Sequence, residues 1–274
     1  MSAAGAATFE IFATLLKSQS GLSIGPDKQY LLDSRMAPIL KQEGLADLSA
    51  LALRLRGSGL TALGRQVVEA MTTNESFFSR DEKPFTHVRT QVLARLHAAR
   101  PAGTRLRIWS AASSSGQEAY SLAMILADQR ALLGDRPTEI IGTDIARDQL
   151  ARAREGRYTQ FEVQRGLPMQ MLVKYFQKDP PNWRIKDTLR AMVQFREWNL
   201  LADMRGLGQF DIVFCRNVLI YFDTPTKKRV LDAIARQMPA DGLLYLGGAE
   251  TVMGISTAFA AIEGERGVYK RGPV

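Results

Sequence analysis

At 274 residues, the chain is long enough for one large domain, or for a domain of about 200 residues with a smaller partner. Its 46% hydrophobic and 23% charged content is ordinary for a soluble globular protein, and no apolar run approaches the ~20 residues that cross a bilayer. The formal net charge of +8 points to an acidic partner, whether nucleic acid, an anionic surface or a protein, without choosing among them. The single cysteine, Cys215, excludes an internal disulfide, and no Cys/His spacing fits a zinc site.

The opening MSAAGAATFEIF has no basic region followed by an apolar core, so no secretory leader is expected and the protein reads as cytoplasmic. Phe9, Phe12 and Leu16 recur at helical spacing. A second helix follows Asp27, read as its N-cap, with Leu32, Met36, Ile39 and Leu40 towards one face. Pro38 is expected to kink or restart that helix. A third helix, DLSALALRLRG, is expected to stop at Gly57, and a fourth, LTALGRQVVEAM, leads into TTNESFFSRDEKPF. With no β-branched runs, residues 9 to about 71 read as a small helical bundle.

A helix near 86–100 and the turn PAG come next, and then the pattern alternates. RLRIWSAA is a strand, 116–133 a helix, TEIIGTDI a strand and 146–155 a helix. Later, VQFREWNLL and FDIVFCRNVLIYF are strand-like, 225–238 is a helix and GLLYLGGAE a strand. Apolar strands alternating with helices predict an α/β fold with a doubly wound parallel sheet. Residues 158–190 break the rhythm with Tyr158, an RGLP turn, a short helix in MQMLVKYF and the loop QKDPPNWRIKD, so they read as an inserted subdomain.

In such sheets ligands bind beyond the carboxyl ends of the strands, and three strand ends here carry polar residues. The first is the loop Ala111–Glu118, in RIWSAASSSGQEAYSLAMIL, which is neither of the two glycine-rich phosphate fingerprints. Its small side chains let a ligand approach the backbone, and Glu118 would repel a phosphate but suits a cationic group. The second is GTDI, where Asp144 can meet a ribose diol. The spacing from Gly116 (144 − 116 = 28) is longer than the ~20 of a nicotinamide-dinucleotide site. A cationic group at Glu118 with a ribose at Asp144 describes S-adenosylmethionine; a helix-capping Asp and a solvated Glu describe the same residues equally well. The third is Cys215-Arg216-Asn217, with Tyr221 four residues beyond Asn217, which reads either as an active-site edge or as a satisfied structural Arg–Asn pair.

TTNESFFSR, AASSSGQEAYSLAM, GTDIARDQLARAREGRY, NLL, FCRNVLIYFD and LYLGGAETV, in this order, resemble the chemotaxis-receptor glutamate O-methyltransferases of the CheR family, from about residue 9 to 270. The resemblance implies an all-helical receptor-recognition domain at 1–72, ahead of a Rossmann-like S-adenosylmethionine-dependent methyltransferase domain at 73–274. A small β-subdomain is inserted in the second domain at about 158–196. It also implies that Asn74, Ser76 and Arg80 edge the cofactor, that Glu118 takes its amino group and Asp144 its ribose, that Asn199 and Leu200 flank the adenosine, and that Arg216 and Asn217 close the site. Arg80 and Tyr221 would stand near the transferring methyl, and no metal is implied. The chain departs from the family at Ser76 (usually Thr), at Ser79, which separates the two Phe from Arg80, and at Gln117 (commonly Glu).

The implied partner is the helical cytoplasmic domain of a chemoreceptor, with Lys28 and Arg35 on one face of the second helix as docking charges. Some members also tether themselves to a receptor's C-terminal pentapeptide through the subdomain. The short, glycine-free YFQKDPPNWRIK, stiffened by Pro180 and Pro181, predicts that this chain does not. The competing reading is a nucleic-acid methyltransferase, drawn from the basic charge and the D-P-P-aromatic-like DPPNW at 179–183. In that reading the motif belongs at the fourth strand's tip, where CRN stands instead. A third reading is a non-catalytic cofactor sensor, although nothing in the site looks deleted. Neither direct membrane insertion nor nucleic-acid binding is expected.

Overall fold

The computed structural model describes residues 3–56 and 61–272. Gly57, the expected end of the third helix, lies outside the described residues. The chain forms two compact units, Met1–Thr73 with Ile220–Arg229, and Asn74–Leu219 with Val230–Val274.

The first unit is helical: α1 (Ala3–Ser20), a 3-10 turn (Pro26–Lys28), α2 (Gln29–Glu43), α3 (Leu48–Leu55) and α4 (Ala62–Met71). Its core joins Phe9, Phe12 and Leu16 to Leu32, Met36, Ile39, Leu51, Val67 and Met71. Asp47 caps α3 by accepting the Ala50 N–H at 2.8 Å, and Thr61 caps α4 by accepting that of Gly64 at 3.1 Å. One expectation fails here, and for Pro38 the restart, one of the two outcomes expected, is excluded. Asp27 is not the N-cap of α2; it sits within the 3-10 turn, and α2 begins at Gln29 without a side-chain cap. Nor does Pro38 restart α2, which runs through it to a left-handed Gly44. Proline removes one N–H from the ladder, but burial of Leu32, Met36 and Ile39 holds both halves to the same core.

In the second unit a helix begins earlier than expected, as α5 (Lys83–His87), and passes through a π-helical turn (Val88–Val92) into α6 (Leu93–Ala99). There follow β1 (Leu106–Ala111), α7 (Gln117–Asp128), α8 (Arg130–Leu133), β2 (Thr138–Asp144) and α9 (Arg147–Glu155). The insertion holds β3 (Arg157–Tyr158), α10 (Gln160–Gln164), α11 (Met169–Tyr175), β4 (Phe176–Asp179), β5 (Asn182–Ile185) and α12 (Asp187–Arg190). The chain continues with β6 (Val193–Glu197), β7 (Ile212–Cys215), α13 (Thr224–Arg236), β8 (Leu243–Tyr245), β9 (Phe259–Ile262) and β10 (Glu265–Arg271).

The seven-stranded sheet has the order β6-β2-β1-β7-β8-β10-β9. Its first five strands pair in parallel and β10 pairs antiparallel with both neighbours. Helix α7 is apolar almost all round and buried from Ala119 to Leu126, as a helix covering the sheet must be. The expected strand over FDIVFCRNVLIYF is shorter: β7 stops at Cys215, and Leu219–Tyr221 forms a 3-10 turn. The expected loop QKDPPNWRIKD is instead a hairpin, in which Pro180 and Pro181 make the turn between β4 and β5 of a three-stranded sheet ordered β3-β5-β4. The prolines therefore take no donor from the strands, so that part of the case against strand addition is withdrawn.

Candidate functional site

Chain order reverses about β1: β2 and β6 lie on one side, β7 and β8 on the other. Ala111 at the end of β1 is in register with Cys215 at the end of β7, so the loops that leave these strands flank the switch point. The β1 loop is tightly wound, with Ala112 (φ 56°), Ser114 (φ 49°) and Gly116 (φ 93°) all left-handed. A Cβ at Gly116 would meet Phe195 at 2.9 Å and Ala153 at 3.0 Å, so both backbone and space demand glycine. The Ser113 N–H donates to the Thr143 carbonyl at 2.8 Å, and the Tyr158 hydroxyl donates to the Ser115 carbonyl at 2.7 Å. Buried Gln117 accepts from the Ser115 hydroxyl at 2.9 Å, an uncharged role that suits the amide found there.

Asp144 ends β2 and is buried. Its Oδ2 accepts the Ser114 N–H at 2.8 Å and its Oδ1 that of Ala146 at 2.9 Å, which ties the β1 loop to the start of α9. Burial pushes its carboxyl up, while these N–H groups pull it back. Glu118, in the first turn of α7, accepts from the Ser110 hydroxyl at 2.8 Å and from Arg216 Nη1 at 3.0 Å. Burial raises its carboxyl too, and Arg216 opposes that. Arg216, whose side chain is 1% exposed, also donates to Asp81 Oδ2 at 2.6 Å and to the Arg80 carbonyl at 2.8 Å. It thus joins β7, α7 and the segment before α5. Beside it, burial pushes the Cys215 thiol well up, which makes it a packing group and not a nucleophile.

The residue that sequence reasoning missed is Glu250. Its buried carboxylate accepts three backbone N–H groups, those of Asn217 at 2.8 Å, Val218 at 3.0 Å and Gly247 at 2.7 Å. This holds Asn217 in a left-handed turn (φ 58°) straight after Arg216. The signal in the sequence is a charged residue in LGGAETV, just past the apolar run LLYL, at the end of a strand where the other site residues also lie.

The other candidates are placed as follows. The Asn74 carbonyl accepts from the Ser114 hydroxyl at 2.8 Å, which brings TTNESFFSR onto the β1 loop, and Ser76 is half-buried in the same segment. Arg80 lies 5.3 Å from the centroid of the Phe77 ring: left-handed Ser79 (φ 48°) turns the chain so that an aromatic still packs beneath the guanidinium. Asn199 Oδ1 accepts the Leu201 N–H at 2.9 Å, and Leu200 is buried. Tyr221 belongs to the helical unit, where its carbonyl accepts the Ser23 N–H at 2.9 Å. Lys28 is exposed, and it lies in the 3-10 turn before α2, not on α2 itself. Arg35 does not present a free docking charge; its guanidinium donates to the Met71 carbonyl at 2.6 Å, to the Thr72 carbonyl at 3.0 Å and to the Thr73 hydroxyl at 3.1 Å, closing the carboxyl end of α4. Both histidines lie on the 83–99 helix; the His87 side chain is 10% exposed and its Nδ1 is 2.8 Å from the Tyr245 hydroxyl.

Comparison with known proteins decides the family. Residues 7–72 match the family model "CheR methyltransferase, all-alpha domain", and residues 74–268 match "CheR methyltransferase, SAM binding domain". The chain belongs to the CheR family. It is 38% identical over 264 residues to chemotaxis protein methyltransferase Cher2 of Pseudomonas putida, covering 95% of this chain and 96% of that one. It is 39% identical over 275 residues to chemotaxis protein methyltransferase 1 of Pseudomonas aeruginosa, covering 99% of each chain. Against chemotaxis protein methyltransferase 1 of Vibrio cholerae it is 39% identical over 264 residues, covering 94% of each. As a CheR protein, the chain is an S-adenosylmethionine-dependent methyltransferase. The site fits that cofactor: the Ser113 hydroxyl in the β1 loop and Arg216 Nε are buried without a hydrogen-bond partner in the protein. Among the described residues no His/Cys/Asp/Glu group could hold a metal ion, and no helix is long and apolar enough to cross a membrane.

Proposed function

We propose that this protein methylates glutamate side chains of chemoreceptors, converting carboxylates to methyl esters with S-adenosylmethionine as donor and S-adenosylhomocysteine as product. The observation that carries this reading is similarity to chemotaxis protein methyltransferases of three bacteria over more than nine-tenths of the chain. Glu118 would hold the cofactor's amino group, Asp144 its ribose, and Asn199 with Leu200 its adenosine; Asn74, Ser76, Arg80, Arg216 and Asn217 would line its edges. When bound, the cofactor supplies an electrophilic methyl on a cationic sulfur. A free Glu, with a pKa near ~4.3, is already ionised at neutral pH, so the receptor carboxylate needs no general base. His87 and His97 fit that logic, since the first faces Tyr245 and the second accepts from Arg136 at 3.1 Å. The work left to the protein is positioning, which in general contributes roughly 7–11 kcal/mol. Arg80 and Tyr221 are proposed to orient the carboxylate and shape the methyl's path.

The nucleic-acid alternative has no observation in its favour. In DPPNW the prolines form the hairpin turn, and the Trp183 indole donates to Gln160 at 2.7 Å, so the motif has a structural role. We further propose action in the cytoplasm and no pentapeptide tether, because the turn between β4 and β5 is two prolines long and lacks the glycine that would admit a peptide backbone. Titration with the free pentapeptide is expected to show no saturable binding. The functional test is mass spectrometry of a receptor cytoplasmic domain after incubation with enzyme and cofactor. Added methyl groups are expected on glutamate-bearing peptides, and an unmodified receptor would refute the reading.

A further inference from the structure

Arg80 is not the only guanidinium on the Phe77 ring. Arg165, from the loop after α10, lies 4.3 Å from the ring centroid, against 5.3 Å for Arg80. Both reach Glu75: Arg165 Nη2 donates to Oε1 at 2.7 Å, and Arg80 Nη1 donates to the backbone carbonyl at 3.0 Å. The Arg165 hydrogen bond and charge, with help from Arg80, hold the Glu75 carboxyl below its ordinary range.

The backbone carrying Arg165 is pinned to the segment carrying Phe77. Gly166 is left-handed (φ +84°), and a Cβ there would collide with the Phe78 carbonyl oxygen. Phe78 is itself buried edge-on against Tyr158 at 5.0 Å and Phe176 at 5.5 Å. Tyr158 in turn donates to Ser115 of the β1 loop. The Arg165 and Glu75 side chains nevertheless stay 42% and 57% exposed. A pair of arginines gathered on one aromatic ring, with the Arg165–Glu75 pair open to solvent, is shaped for a carboxylate. The ring anchors each guanidinium by cation–π attraction, and a guanidinium fork matches a carboxylate, as the Arg165 bond to Glu75 already shows. Exposed ion pairs contribute little net stability, so exchanging one carboxylate for another there costs little.

We propose that Arg165 acts with Arg80 to recognise the substrate glutamate, and that Glu75 occupies this site as an internal surrogate which the receptor carboxylate displaces. The proposal rests on the function inferred above.

The test is steady-state methylation of a receptor cytoplasmic domain at saturating cofactor, with S-adenosylhomocysteine affinity measured calorimetrically for each variant. Arg165→Ala should raise KM for the receptor about tenfold, and Arg165→Lys should recover part of that, with cofactor-product affinity unchanged in both. Glu75→Gln should act in the opposite direction and lower KM about threefold. A purely structural ion pair predicts that Arg165→Ala and Glu75→Gln shift KM together or not at all, and either result overturns the proposal. If Arg165→Ala fails to fold, the opposed signs of Arg165→Lys and Glu75→Gln carry the same test. Wild-type enzyme that binds S-adenosylhomocysteine but leaves receptor unmethylated would sink the functional reading first, and the arginine proposal with it. Wild-type activity with an unmoved KM in the variants would sink the arginine proposal alone.

Discussion

Replacing Glu250 with alanine should damage the cofactor site from beneath. The substitution strips the acceptor from three backbone N–H groups, those of Asn217, Val218 and Gly247. A buried donor left unsatisfied costs about 1–3 kcal/mol. The Gly247 N–H is fully buried and bears that cost whole, while those of Asn217 and Val218, only part-buried, recover some of it from water. The expected loss is therefore about 2–4 kcal/mol of the ~5–15 that hold a domain together. Glu250→Gln separates the contributions. With its amide oxygen at the Oε2 position it keeps the bonds to Asn217 and Gly247, and only Val218 then faces an amide donor, so the loss should be about 1–2 kcal/mol. Because the carboxylate also sets the left-handed turn at Asn217, both variants should bind S-adenosylhomocysteine more weakly, Ala more so than Gln. Urea denaturation and calorimetry read the two effects. An alanine variant within about 0.5 kcal/mol of wild type, with unchanged affinity, would refute the reasoning.

Asp144→Ala should weaken S-adenosylhomocysteine binding by calorimetry and also lower the urea midpoint, since the same carboxylate tethers Ser114 and Ala146; an unchanged affinity would remove it from the site. Burial holds the His87 imidazole below its ordinary 6.5, so the unfolded chain takes up the extra proton first as pH falls. The stability His87 contributes is whole above about pH 6.5 and is lost as pH drops towards the folded pKa, so His87→Phe should flatten the stability profile of denaturation midpoints between about pH 7 and 5. Arg35→Glu should cost about 2 kcal/mol or more, by placing a carboxylate against the carbonyls that end α4, whereas Lys28→Glu should leave the urea midpoint alone and raise KM for receptor.

Fold and site were legible in the sequence to different depths. The alternation of apolar strands with helices after residue 105 follows from periodicity, and it led directly to the switch point where Glu118, Asp144 and Arg216 gather. The tip of β7 was legible at Cys215-Arg216-Asn217, but the VLIYF beyond it still read as strand, because it is as apolar as β7 and only the left-handed Asn217, held by Glu250, breaks the run. The hairpin at 176–185 was hidden by prolines that break strands in general but here supply the turn itself. Arg35 showed the periodicity of a surface charge, yet its partners lie 36–38 residues away, beyond the reach of local pattern. Pro38 is the converse case: a strong local rule that tertiary burial overrides.

One measurement tests the central claim most directly. Enzyme, methyl-labelled S-adenosylmethionine, a receptor cytoplasmic domain and duplex DNA are incubated in the same tube, and each macromolecule is then isolated and treated with mild base. The account predicts label on the receptor alone, released by base as a carboxyl methyl ester must be, and lost when the receptor's acceptor glutamates are replaced by alanine. Label on DNA, or base-stable label on the receptor, would contradict it.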